Sequence, residues 1–391
     1  MRHLLLLLLF FPLLSLQAQQ YKKLHKKAVV VDTHNDVLST VVLEGLSMEE
    51  DLGTRAHSDL NRFRKGGVDV QIFSVFCDER YGKGTAFNYA NREIDSLYAI
   101  ISRNPHRMML VTDMASFNKA VKRKKLGAMI GVEGGHMIED NMAYLDSLYQ
   151  RGTRYLTLTW NNSTSWATSA WDETLRKDSL PHLGLTAFGK QVVQRMNTLG
   201  MLVDVSHVGE KTFWDVIQVT TKPVIASHSC VHALCPVPRN LKDDQIQAIA
   251  KNGGVIHLNF YSGFVDSNYQ KRLTAFNGRH RREMDSLKAA GRTEWEVETW
   301  LNKTYPAESS SLRPTLDQLL DHLDHIVRLA GVDHVGLGSD FDGISSSPQG
   351  LDDVADFPNI TRALLQRGYS RKDIKKILGE NFIRVFKAAQ N

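Results

Sequence analysis

Eight short runs of apolar and β-branched residues recur along this chain, with helix-patterned stretches between them, and that alternation limits the architectures open to it. The runs are Ala28–Asp32, Val68–Phe76, Ala128–Val132, Tyr155–Thr159, Met201–Val205, Val224–Ser227, Val255–Phe260 and His334–Gly338. Leu185–Leu199, Asp243–Lys251 and Thr315–Leu329 carry apolar residues at helical intervals. Strands separated by crossover helices pair in parallel, and eight such units are expected to close into a (β/α)8 TIM-type barrel of the α/β class. A doubly wound open sheet is the alternative. It loses ground because no G-x-G-x-x-G or Walker loop follows any of the strands. One segment, residues 266–313 between the seventh and eighth strands, is too long for an ordinary connection. Met284–Ala290 and Glu294–Leu301 within it have helical character, so a helical insertion is expected near the barrel mouth. Such an insertion serves as a lid or as the contact of a homodimer, and the sequence leaves both open.

The N-terminus is a separate object. Met1-Arg2-His3 leads into an apolar run from Leu4 to Leu14, broken only by Pro12, and then into Ser15-Leu16-Gln17-Ala18. A basic start, an apolar stretch and a small residue at the exit read as a secretory signal peptide over residues 1–18. Residues 19–391 then form a single exported domain, periplasmic or extracellular. The apolar run falls short of the ~20 residues that span a bilayer. The end of the chain, Phe382–Asn391, is mixed and charged and does not read as a glycolipid-anchor tail, so no stable membrane attachment is expected. The net charge is +5, and its basic clusters, Lys22–Lys27, Lys122–Lys125 and Arg279–Arg282, have no stacking aromatics among them. Nucleic-acid binding is therefore not expected. Cys77, Cys230 and Cys235 are too few for a disulfide framework; Cys230 and Cys235 are near enough in sequence to pair, which the sequence leaves open.

Chemistry in such barrels sits at the C-terminal ends of the strands. Read in order, those ends carry His34 and Asp36 after the first strand and Glu133 after the third. His207 follows the fifth, His228 the sixth and Asp340 the eighth. In an extended segment side chains alternate, so His34 and Asp36 face the same way and can reach one cation. Any single histidine here is satisfied by a bland core role. Glu133 is harder to explain that way, because an unpaired carboxylate behind an apolar strand is costly to bury. Five such residues on one rim, His34, Asp36, Glu133, His207 and His228, have the mixed nitrogen and oxygen character of a site for zinc or a similar ion. Two ions would need a shared ligand, and Glu133 is the candidate. Asp340 then stands as a general acid and base beside a metal-activated water.

His34-x-Asp36, Gly131-Val132-Glu133-Gly134, Ser206-His207, Ser227-His228-Ser229, Arg239-Asn240 and Gly338-Ser339-Asp340-Phe341-Asp342-Gly343 occur in the order of the renal (membrane) dipeptidase family of zinc peptidases. The chain resembles that family from about Tyr21 to its C-terminus. The resemblance implies two zinc ions per subunit, one held by His34, Asp36 and Glu133, the other by Glu133, His207 and His228. A hydroxide bridging them would attack the peptide bond of a dipeptide. It further implies that Arg239 grips the terminal carboxylate of the substrate, while Asp340 handles the proton and the substrate amine. Arg239 makes sense unaided too, since a guanidinium recognises a carboxylate bidentately, but between Pro238 and Asn240 it reads more readily, without the family, as a surface or helix-start residue. The chain departs from the family at one place. Where the family reads Leu-Thr-His, with that histidine contacting substrate and oxyanion, this chain reads Leu158-Thr159-Trp160. Trp160 keeps an N–H donor but no titratable nitrogen, so it either donates one hydrogen bond to the oxyanion or narrows the pocket. His136 and His182 are the other imidazoles available to stand in, and Trp166 and Trp171 are close enough in sequence to line the cleft. The alternative activity, which Trp160 favours, is hydrolysis of other small amides such as N-acyl amino acids or cyclic amides.

Overall fold

Among the described residues, nine strands share one sheet: β1 (Val31–Asp32), β2 (Val70–Phe76), β3 (Met108–Leu110), β4 (Leu126–Glu133), β5 (Thr153–Thr157), β6 (Leu202–Asp204), β7 (Ile225–Ala226), β8 (Val255–Leu258) and β9 (Val335–Leu337). All pair in parallel, and eight of them run around the barrel in the order β1-β2-β4-β5-β6-β7-β8-β9. The computed structural model describes residues 20–292 and 294–391. The expected leader, residues 1–18, lies outside the described residues. At the seam, Thr33 N donates to Leu337 O (3.2 Å) and Asp340 N to His34 O (3.1 Å), and Asn35 bridges Phe341. The barrel is thus nearly closed, as the alternation of runs implies.

The ladders are shorter than most of the apolar runs that form them. β1 begins only at Val31 because Val30 N is taken by the Asp69 carboxylate at 2.9 Å. β3 was not among the expected strands; it lies off the barrel and pairs only with the start of β4. Three residues are too few to carry a readable period.

The period of two along each strand decides what reaches the site. On β4, Ala128, Ile130 and Val132 face the helix layer, while Met129 lies in the barrel interior. Gly131 and Glu133 share the face of Met129, which places Glu133 at the top of the interior. By the same alternation Tyr155 on β5 and Leu202 on β6 face inward, and Thr157 and Asp204 follow them two residues on. The bottom is plugged by the C-terminal helix Asn381–Gln390, whose Phe382, Val385 and Phe386 pack under Val31, Ile225 and Val255.

Between β8 and β9 the chain forms helices Tyr269–Arg279, Arg281–Ala289, Glu294–Thr304 and Pro306–Leu312. They bury a small apolar cluster of their own, including Tyr269, Phe276, Leu301 and Leu312. Thr315 and Gln318 then form a capping box that restarts the barrel with helix Leu316–Ala330. Among the described residues no helix is long and apolar enough to cross a membrane.

Candidate metal centre

Three imidazoles and three carboxylates meet at the C-terminal rim of the barrel. His34 Nε2 lies 3.3 Å from Asp36 Oδ2, 3.5 Å from Glu133 Oε2 and 3.9 Å from Asp340 Oδ1. The other oxygen of Glu133, Oε1, lies 2.8 Å from His207 Nε2 and 3.3 Å from His228 Nε2. Glu133 therefore turns one oxygen to each half of the cluster. Sets of ligand atoms lying mutually within 4.8 Å are His34, Glu133 and His228, and His34, Asp36 and Asp340. His207 meets the first set through its 3.0 Å contact with His228 Nε2. The residues singled out from the sequence as ligands are thus all in one place.

The donor chemistry fits a cation. His34 Nε2 and Asp36 Oδ1 are buried with no hydrogen-bond partner, although unpaired buried polar atoms are costly. His34 Nδ1 is bonded to Tyr155 Oη at 2.8 Å, His207 Nδ1 to Asn161 Oδ1 at 3.2 Å, and His228 Nδ1 to Ser227 Oγ at 2.7 Å. Each ring is gripped by its outer nitrogen, and the inner nitrogens crowd one another around Glu133. Two imidazole nitrogens 3.0 Å apart beside a carboxylate form a crowding of donor atoms that a cation would satisfy. Histidines, carboxylates and an absence of thiols match zinc and similar first-row ions.

Electrostatics follow from burial and crowding. Burial alone would raise the Glu133 carboxyl, but His34 and His207 overcome it and hold it well below the usual range. Burial pushes Asp340 well up, and the neighbouring Asp36 and Glu133 add to the rise against His34. His228 is held well below its ordinary value by burial and by His34. Asp340 Oδ2 accepts from Asn259 Nδ2 at 2.8 Å, which leaves Oδ1 turned toward His34.

His207, Asp340 and Asp342 have φ of 65°, 62° and 66°, the left-handed region that L-residues rarely occupy. This backbone turns the chain sharply at the strand ends and brings the side chains inward. Gly343 approaches so closely that a Cβ there would lie 2.3 Å from Asp36 Oδ2 and 2.6 Å from Asp340 Oδ1.

Above the cluster opens a cavity of about 360 Å³, whose floor includes Asp36, Glu133, His207 and Asp340. Trp160 stands in its wall, packed on Phe76 with ring centroids 4.9 Å apart. Arg239 is placed differently. It is 95% buried, donates to His228 O (3.0 Å) and Ser229 Oγ (3.4 Å), and lies over the Phe264 ring, with Nε unpartnered. It lines an adjoining cavity of about 340 Å³, and His207 belongs to both cavities.

His136 and His182 line neither; His136 is bonded through Nε2 to Cys77 O at 2.8 Å. Trp166 is fully buried beside Phe188, whereas Trp171 is exposed in a shallow cleft beside Trp160. Cys230 and Cys235 are free thiols bonded to different carbonyls, Asn259 O and Gly263 O. Tyr155, Asn161, Asp204 and Asn259 hold the site from behind and lie outside the strand-end pattern of histidines and acids. Asp204 carried a legible signal, being a carboxylate inside an apolar strand like Glu133. Tyr155 carried none.

The model of the membrane dipeptidase family, peptidase family M19, matches residues 18–391 of this chain. An uncharacterized dipeptidase of Schizosaccharomyces pombe is 32% identical over 399 residues, covering 96% of this chain and 84% of that protein. Among solved structures, a probable dipeptidase from Pseudomonas aeruginosa superposes with a TM-score of 0.77 at 24% identity, over 96% of this chain and 98% of that one. A metallopeptidase from Rhodobacter sphaeroides, solved with a phosphinate mimic of the dipeptide L-Ala-D-Ala, gives 0.72 at 24% identity over 93% and 99%. The two structural likenesses speak for the fold.

Proposed function

The chain belongs to the membrane dipeptidase family, peptidase family M19, and from that membership we propose that it is a zinc-dependent dipeptidase whose centre takes two ions. The observation that carries the reading is the split of Glu133, with Oε2 facing His34 and Oε1 facing His207 and His228. His34, Asp36 and Glu133 would hold one ion, and Glu133, His207 and His228 the other. When bound, the pair supplies a water that loses its proton near neutral pH and a Lewis acid for the scissile carbonyl.

The chain's own groups do the rest. Asp340, anchored by Asn259 through Oδ2, uses Oδ1 to take a proton and return it to the leaving amine, and in the ground state it receives the substrate's amino group. Arg239, a buried guanidinium bonded to neutral oxygens, receives the terminal carboxylate. An amine site and a carboxylate site bracketing one bond set the length of the substrate to a dipeptide. Trp160 and Phe76 form an aromatic wall that narrows the cavity over that bond. Residues 19–391 form the enzyme domain, and residues 1–18 are removed on export, so the exported protein should begin at Gln19.

A dipeptide panel assayed against N-acyl amino acids tests the reading, with chelated and zinc-restored enzyme in parallel. Dipeptides with free termini should be cleaved, lose cleavage on chelation and regain it with zinc. Trp160 favours a second reading, a related hydrolase of other small amides. Preferential turnover of N-acyl amino acids or cyclic amides would select it and displace the first.

A further inference from the structure

We infer that Asp204 is a positioning residue for this centre: through the Ser227 hydroxyl it dictates which nitrogen of His228 carries the proton, leaving Nε2 free for a cation. The inference rests on the metal-centre reading above. Asp204 is fully buried at the end of β6. Its Oδ1 accepts the backbone N–H of Ser206 (3.0 Å) and of Ser227 (2.8 Å). Its Oδ2 accepts the hydroxyls of Ser227 (2.6 Å) and Thr157. An ionised carboxylate only accepts, and a serine hydroxyl has one proton to give. Ser227 gives that proton to Asp204, so at its 2.7 Å contact with His228 Nδ1 it can only accept. Nδ1 therefore carries the proton of the neutral ring, and the lone pair sits on Nε2, 3.3 Å from Glu133 Oε1. The same carboxylate also ties down the backbone just ahead of His207 and His228, so one buried group sets two ligand-bearing turns.

His34 has a parallel device that does not involve Asp204. Tyr155 Oη donates to Thr33 O at 3.1 Å and therefore accepts from His34 Nδ1. Loss of the Asp204 relay should consequently weaken the His207–His228 half and spare the His34–Asp36 half. Outer partners of metal-binding histidines typically change metal affinity by 10- to 100-fold.

Two variants test this. Asp204→Asn keeps the shape but turns an amide N–H toward Ser227, which frees the serine proton to face His228 Nδ1 and forces the opposite tautomer. Ser227→Ala removes the relay and leaves the carboxylate's backbone bonds in place, so it carries the test if Asp204→Asn does not fold. Bound zinc per chain would be measured by elemental analysis across graded free zinc, with thermal melting as the check on folding. The wild type should bind two zinc ions. Each variant should keep one tight site and bind the second about 10- to 100-fold more weakly, and Ser227→Thr, which retains the hydroxyl, should recover it. Two sites of unchanged affinity in a folded Ser227→Ala would overturn this inference alone. A wild type that binds no zinc would overturn both it and the metal-centre reading.

Discussion

Asp340 combines a left-handed backbone, a raised carboxyl and a place 3.9 Å from His34 Nε2, properties that suit the proton transfer proposed for it. Asp340→Asn preserves its size and its bond with Asn259 but cannot carry a proton. Turnover should fall by about 100-fold or more while bound metal stays near the wild-type level; unchanged turnover would rule out the proton role. Arg239 makes a different kind of contribution, because its guanidinium is buried without a carboxylate partner among the described residues. Arg239→Ala should raise KM for dipeptides with a free C-terminus by about 10- to 100-fold and affect kcat less. Should wild-type enzyme cleave amidated dipeptides as well as free acids, Arg239 does not anchor a carboxylate.

β4 shows how an element couples packing to chemistry. Its inward face runs Met129, Gly131, Glu133, and the glycine exists to admit the Tyr155 ring, since a Cβ there would lie 2.0 Å from Tyr155 Cζ. Gly131→Ala should cost about 1–3 kcal/mol by overpacking, read as a lower melting temperature. It should also weaken metal binding at His34, whose Nδ1 partner is displaced; normal stability and metal content would show that β4 and β5 have slack there. The strands that carry the candidate ligands were legible because their apolar runs are bounded by polar residues at the rim. β3 was not, being too short to show a period. The residues behind the ligands were harder still. Tyr155 reads as one more core aromatic until β1 and β5 are brought together, and its bond to His34 spans 121 positions of sequence. The place of Arg239 beside the cavity containing Asp340, and not within it, also depends on how Phe264 packs, which no local pattern encodes.

The whole molecule carries buried imidazoles that fold in their neutral form, and these set its response to acid. Burial holds His257, on β8 inside the barrel and against the Phe382 ring of the C-terminal helix, down to about 4. The unfolded chain binds that proton near 6.5, so the stability contributed by the neutral ring is complete above pH 6.5 and is lost as pH falls toward 4. Between pH 7 and pH 5 the loss is about 2 kcal/mol. His257→Gln should flatten that part of the melting profile, and a profile as steep as the wild type's would assign the acid sensitivity elsewhere. The other global dependence follows from the proposed centre, whose metal would bind the folded rim and not the unfolded chain. Chelation should lower the melting temperature and zinc should restore it. Anomalous diffraction at the zinc edge would locate the two proposed cations at that rim directly. Crystals grown with zinc should give two peaks per chain, one among His34, Asp36 and Glu133 and one among Glu133, His207 and His228. Absence of anomalous density beside Glu133, or strong peaks only elsewhere on the molecule, would rule out a two-cation centre there.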